Sequence, residues 1–144
     1  STVTALRQPI ELDLPIDVAL DRLIESFEAA STMDIQFSLN YLAPLPDNLR
    51  QVVYRTVQES LTNIQRHSGA NQAWITLGST EDQVSLTISD NGKGFPKEPE
   101  KAGYGLRGIR ERTALAGGLC SFENRQAGGA KVTVTFKNVG VAHE

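Results

Sequence analysis

A chain of 144 residues with 40% hydrophobic and 22% charged side chains has the size and apolar content of one globular domain around a single core. Its net charge of −3 supplies no basic field for nucleic acid or an anionic membrane surface. No apolar run is long enough to span a bilayer, and no signal-peptide pattern, repeat or low-complexity tract is present. The single cysteine, Cys120, excludes an internal disulfide or a cysteine-cluster zinc site and fits a reducing compartment.

In chain order, residues 1–14 hold Pro9 and the alternating Ile10, Leu12 and Leu14, a short strand or extended arm. Pro15 suits a helix first turn, and Ile16, Leu20, Leu23, Ile24 and Phe27 give residues 16–30 one apolar stripe. Ile35, Phe37 and Leu39 alternate as a strand. A loop over 41–46 carries Pro44 and Pro46, and Asp47 is the expected N-cap of a helix over 48–67. Leu49, Val53, Val57, Leu61 and Ile64 stripe that helix, and Glu59, Asn63, Arg66 and His67 fall on one flank beside the stripe. That flank is either a solvated face or the wall of a cleft.

Strands are expected at 72–78 and 83–89, joined by a short turn at Glu81-Asp82 as an antiparallel hairpin. The second runs into Asp90-Asn91-Gly92-Lys93-Gly94-Phe95. Those six residues fit a solvated Asn-Gly turn. They fit equally a carboxylate held at a strand end, placed to accept a hydrogen bond from a ligand's amine, with glycines that let something flat approach. A polar loop, 96–102, leads to Gly103-Tyr104-Gly105-Leu106, which opens a helix ending at Gly117-Gly118. Strands follow over 119–123 and around Val132, Val134 and Phe136, separated by Gly128-Gly129. Mixed helices and strands, with hairpins outnumbering βαβ units, predict an α+β sandwich with helices on one face of a mixed sheet.

Gly103 to Gly108 reads literally as G-x-G-x-x-G. That fingerprint needs a strand immediately before it, and Lys97-Glu98-Pro99-Glu100-Lys101 cannot be a buried one. The dinucleotide reading is therefore rejected, and no P-loop sequence occurs. The glycines still present backbone N–H groups at a helix start, where phosphate binds. An acidic Gly turn for an amine, a Gly-rich helix start for phosphates and the hard amide oxygen of Asn63 for Mg²⁺ together describe a site for Mg-ATP.

The set Glu59-x-x-x-Asn63-x-x-Arg66-His67, Asp90-x-Gly92-x-Gly94 and Gly103-x-Gly105-Leu106 resembles the N, G1 and G2 boxes of the GHKL ATPase superfamily of gyrase, MutL and the histidine kinases. The wording from Tyr54 to Asn63 and from Gly103 to Arg112 resembles the catalytic domain of sensor histidine kinases of the nitrate/nitrite-sensor type. The resemblance spans about 10 to 137. It implies the Bergerat fold: a two-layer α/β sandwich, its mixed, mostly antiparallel sheet backed by three main helices. It implies that Asp90 accepts the adenine amino hydrogen, that Gly92 and Gly94 let the backbone pass close to the base beside Phe95, and that Asn63 ligates Mg²⁺. Arg66 and His67 would face the phosphates. Gly103, Tyr104, Gly105 and Leu106 would form the nucleotide-binding end of a lid over 96–102. Glu59 would line the site with an uncertain catalytic role, orienting Asn63 or a metal-bound water. The superfamily often carries Thr where this chain has Ala130.

The same resemblance implies a γ-phosphoryl transfer to a histidine on a dimerisation and phosphoacceptor domain, with relay to a response regulator. Neither His67 of the N box nor His143 of the tail fits that acceptor. Residues 1–14 would then be an arm leading from that domain, 15–138 the catalytic domain and 139–144 a tail. The expectation is a cytoplasmic, monomeric module, the cytosolic part of a membrane-bound sensor, that contacts neither nucleic acid nor membrane. The alternative is a stand-alone GHKL regulator, such as an anti-sigma-type serine kinase acting by partner binding, and the Gly-Ile-Arg-Glu-Arg wording speaks against it. A degenerate, non-catalytic module is disfavoured because Asn63, Asp90 and the glycines are all present.

Overall fold

The computed structural model describes residues 14–40 and 44–137. Except for Leu14, the expected arm lies outside the described residues, as do 41–43 of the expected loop and the tail with His143. Helix α1 (Ile16–Ala29) starts after Pro15, whose ring fixes φ at −58°, and buries Ile16, Ala19, Leu20, Leu23 and Ile24 along one stripe. Strand β1 (Asp34–Asn40) follows. Helix α2 (Asp47–Asn63) then carries the chain to strand β2 (Gln72–Ser79), which pairs with β1 in parallel. A crossover is required there because parallel neighbours cannot be joined by a tight turn.

Strand β3 (Gln83–Asp90) returns antiparallel to β2. After a long loop come helix α3 (Leu106–Leu115), strand β4 (Leu119–Asn124) and strand β5 (Ala130–Lys137). Strand β5 inserts between β3 and β4, so the sheet order is β1-β2-β3-β5-β4. Among the described residues only the β1–β2 pair is parallel. This is the expected α+β sandwich: a mixed, mostly antiparallel sheet with three helices against it.

Period-two alternation sorts the two faces of the sheet. Ala73, Ile75 and Leu77 of β2, Val84, Leu86 and Ile88 of β3, and Val132, Val134 and Phe136 of β5 are buried. They form one core with Val53, Val57 and Leu61 of α2 and Leu20, Leu23 and Ile24 of α1. Each such side chain contributes about 1.5–3 kcal/mol of transfer free energy. The other face carries Thr76, Ser85, Thr87, Ser89, Thr133 and Thr135, all half-exposed.

Three local details depart from the sequence reading. Pro46 occupies the N-cap of α2, and Asp47 is the first helical residue, making no cap hydrogen bond. Its carboxylate lies 3.6 Å from Arg50, one turn on, where a negative charge also suits the helix dipole. The α-helix expected to reach 67 stops at Asn63 and continues as a π-helical turn, Ile64–Ser68, closed by Gly69 at φ 68°. Within it Ser68 Oγ donates to Ile64 O at 2.7 Å, giving that carbonyl a partner outside the α ladder. Finally, α3 begins at Leu106 rather than at Gly103. Gly103 (φ 86°) and Gly105 (φ 66°) are left-handed and cannot continue a helix.

Candidate functional site

Asp90 closes strand β3 on its inward face and is 2% exposed. One carboxylate oxygen accepts the Gly92 N–H at 2.7 Å. Burial pushes the Asp90 carboxyl above its ordinary value, while the Gly92 and Ala130 N–H groups and the Arg125 charge pull it back. The loop behind it is fixed on several sides. Asn91 Oδ1 accepts the Asn71 and Gln72 N–H groups at 3.2 and 3.1 Å, and its Nδ2 donates to Asn71 Oδ1 at 2.8 Å. Lys93 N donates to Ser68 O at 3.0 Å. Asn124, from the end of β4, brackets Phe95 by accepting its N–H at 2.7 Å and donating to its carbonyl at 3.2 Å.

Two glycines of this region are required by contact. A Cβ on Gly92 would lie 2.4 Å from Ser68 O, and one on Gly129 would lie 1.8 Å from Asp90 O. The π-helical turn and the β4–β5 turn therefore press directly on the Asp90 loop.

A partly open cavity lies in front of the carboxylate, lined among others by Ser60, Asn63, Ser68, Asp90, Phe95 and Tyr104. Tyr104 reaches it from the far end of the lid and is 8% exposed. Its ring stacks on His67 with centroids 4.1 Å apart and meets Phe95 edge-on at 5.7 Å. Burial, and then the nearby Asp90 carboxylate, push the Tyr104 phenol above its ordinary value. Ser60 Oγ and His67 Nε2 are buried with no hydrogen-bond partner among the described residues.

Of the expected site residues, the fold brings Asn63, Asp90, Gly94, Phe95 and Tyr104 to this one cavity. Gly92 packs behind it against Ser68, and His67 stands behind Tyr104. Leu106 is buried beside Tyr104 and Ile109. Arg66 faces solvent, and Gly103 and Gly105 are exposed at the start of α3. Glu59 is not in the cavity wall. Its carboxylate is taken by Arg112 of α3, with Arg55 3.9 Å away on the other side.

Sequence reasoning passed over Ser60, Asn124, Arg125 and Glu100. Glu100 Oε2 accepts the Arg107 N–H at 2.8 Å and so occupies the start of α3. Nothing in the local wording marks Asn124 and Arg125, because each acts on a segment brought near only by folding.

Among the described residues no three His, Cys, Asp or Glu side chains could together hold a metal ion. The hard amide oxygen of Asn63 in the cavity wall fits a Mg²⁺ that draws its other ligands from phosphates and water, the usual arrangement for this ion.

A family model described as histidine kinase-, DNA gyrase B-, and HSP90-like ATPase matches residues 48–139. The chain is 38% identical over 127 residues to the sensor histidine kinase LnrJ of Bacillus subtilis, covering 88% of this chain and 31% of that protein. Against the nitrate/nitrite sensor protein NarX of Escherichia coli it is 30% identical over 122 residues, covering 82% of this chain and 20% of that protein. The chain thus spans about a third or less of the length of these curated relatives. Among solved structures, the ATP binding domain of PrrB from Mycobacterium tuberculosis matches with a TM-score of 0.62 at 26% identity, over 86% of this chain and 94% of that one. The chain belongs to the histidine kinase-, DNA gyrase B- and HSP90-like ATPase family.

Proposed function

We propose that residues 15–138 are the Mg-ATP-binding catalytic unit of a sensor histidine kinase. The unit passes the γ-phosphoryl group to a histidine on a dimerisation and phosphoacceptor domain, for relay to a response regulator. The observation that carries this reading is Asp90, a carboxylate 2% exposed at the wall of a cavity it shares with Asn63 and Tyr104. A buried carboxylate needs hydrogen-bond donors, and the exocyclic amine of adenine is such a donor where guanine offers a carbonyl. Ser60 Oγ, buried without a partner, is available to a ring nitrogen or to a water beside the base.

Towards the phosphates, Asn63 would serve as a Mg²⁺ ligand, and the N–H groups of Gly105 and Leu106 would receive phosphate oxygens at the start of α3. Arg66 supplies fixed charge at the outer end. A Mg²⁺ held by Asn63 would supply charge compensation to the phosphates. The remaining catalysis is positioning of the γ-phosphoryl for in-line transfer. The Arg112–Glu59 pair, with Arg55 alongside, supports transfer to histidine over hydrolysis, because a carboxylate held by arginines is poorly placed to deprotonate water. The unit acts at the cytosolic side of its parent protein, and no described helix is long and apolar enough to cross a membrane.

Calorimetry with ATP and GTP, each with and without Mg²⁺, tests the site; ATP binding strengthened by Mg²⁺ and no GTP binding is the expected result. Incubation with radiolabelled ATP and a separate phosphoacceptor fragment of the same kinase tests the chemistry. Acid-labile label on the fragment supports transfer to histidine, and tight Mg-ATP binding without any label would remove the kinase reading.

A further inference from the structure

We infer that Arg125 is a positioning residue for Asp90, holding in place the carboxylate that receives the base. The inference rests on the reading of Asp90 as the adenine acceptor. Arg125 opens the turn between β4 and β5, where its N–H donates to Gly129 O at 2.8 Å and its carbonyl accepts from Gly128 N at 3.0 Å. Its side chain leaves that turn and crosses to another strand. Nη1 donates to Asp90 O at 2.6 Å and to Gly128 O at 3.0 Å, bridging the end of β3 to the turn. The guanidinium lies over the ring of Trp74 on β2, 5.0 Å from its centroid, a cation–π contact.

One planar cation thus ties three strands together at the residue whose side chain faces the cavity. Both hydrogen bonds go to backbone carbonyls, so the Asp90 carboxylate stays directed at the cavity while the positive charge sits behind its own peptide. A residue serving only the turn would need neither the bond to Asp90 nor the indole. The other titratable groups near Asp90 are Tyr104 of the lid and His67 of the π-helical turn behind it. Lys93 of its own loop is exposed, and Lys131 and Glu123 pair on the outer face of the sheet. Against the upward push of burial, the Gly92 and Ala130 N–H groups lower the Asp90 carboxyl most, and Arg125 is the cation that adds a smaller downward pull.

The sign of the pH effect follows. Only the ionised carboxylate accepts the amine without donating in return, so ATP affinity is present above the Asp90 titration and lost as pH falls through it. Without the cation the carboxyl titrates higher, and the loss begins at a higher pH.

The test measures ATP affinity by calorimetry across the acid-to-neutral range for wild type, Arg125→Met, Arg125→Lys and Asp90→Asn. Arg125→Met is expected to bind ATP roughly tenfold more weakly at neutral pH, with its acid midpoint moved up. Arg125→Lys keeps the charge but cannot bridge two carbonyls and stack, so its midpoint stays near wild type while its affinity falls. An Arg125→Met protein with wild-type affinity overturns the inference, and so does an affinity lowered equally at every pH with the midpoint unmoved. Should Arg125→Met fail to fold, Arg125→Lys decides the matter, wild-type affinity in that variant being the overturning result. If Asp90→Asn binds ATP normally, the reading of the base site fails. If Asp90→Asn is dead and the Arg125→Met midpoint does not move, the role of Arg125 alone fails.

Discussion

The loop after Asp90 and the segment 96–105 flank the same cavity and are held in opposite ways. Asn71, Ser68, Asn124 and Arg125, from two separate parts of the chain, hydrogen-bond to residues 90–95. The backbone bonds within segment 96–105 are local: Ala102 N to Glu98 O at 3.3 Å, Gly103 N to Glu100 O at 3.1 Å and Tyr104 N to Pro99 O at 3.1 Å. Its ion pair, Glu98 with Lys101, is exposed on both sides. The Tyr104 ring and the Glu100 carboxylate, which accepts the Arg107 N–H at 2.8 Å, tie it to the body of the protein. Long-range bonds fix a binding geometry before the ligand arrives, whereas a locally bonded segment can move as a unit at small cost. The end of the cleft proposed for the base is therefore preorganised, and the end proposed for the phosphates is adjustable.

The largest expected effect comes from breaking the rigid end. Asp90→Asn puts an N–H donor where an acceptor is required and should cost at least 2–3 kcal/mol, about a hundredfold in ATP affinity. The fold should survive it. Burial raises the Asp90 carboxyl, so the native state holds that proton more tightly than the unfolded chain does. The stability tied to this group is present at low pH and is lost as pH rises through the raised value. The ionised form therefore works against the fold at neutral pH, and Asn removes that term. Thermal unfolding should show no loss without nucleotide, together with loss of the shift that Mg-ATP gives to wild type. An ATP shift retained in Asp90→Asn would refute the placement of the base.

The same substitution made at both ends measures the contrast in stability. Gly129→Ala places a Cβ 1.8 Å from Asp90 O at a φ of 98°, and backbone on both sides leaves nothing free to yield. A loss of about 3 kcal/mol or more is expected in urea unfolding. Gly103→Ala meets no atom within 4 Å and bears only its φ of 86°, so about 1 kcal/mol is expected. Equal losses would mean that the two ends are not held differently.

How far the sequence reveals this contrast depends on which residues carry it. Strict alternation of Val84, Leu86 and Ile88, and of Val132, Val134 and Phe136, marks two inward sheet faces, because period two has one structural meaning over that length. The stripes of α1 and α2 are as plain. The parallel pairing of β1 with β2 is not, since neither strand's pattern says which neighbour it takes. The turn from Ile64 to Ser68 keeps an apolar spacing compatible with an α-helix, and only the placement of Ser68 against Lys93 and Gly92 makes its π-helical form visible. Asp90, its glycines and Asn63 can be picked out as ligand-binding chemistry. Asn124 and Arg125 cannot, because the register of β3 on β5 and of β4 on β5 is what brings them under the loop. Trp74, which reads as ordinary packing, lies beneath a guanidinium on the outer face.

The smallest expected effect is at the adjustable end. Glu100 accepts the Arg107 N–H at the start of α3, the position proposed for phosphate oxygens. A carboxylate there satisfies an orphan N–H and interacts favourably with the positive end of the helix dipole, as a phosphate would. The two anions then compete for one place, and ATP must displace or repel Glu100 to use it. Glu100→Gln removes the charge while keeping a similar shape. ATP affinity should rise roughly two- to threefold at low salt and less at high salt, whereas adenosine, which has no phosphate tail, should bind as it does to wild type. A fall in ATP affinity would mean that Glu100 assists the phosphates, through the helix or a metal, and that the lid is already arranged for them. An equal rise for adenosine would place the effect at the base instead, and the two ends of the cleft would then have to be treated as one coupled unit.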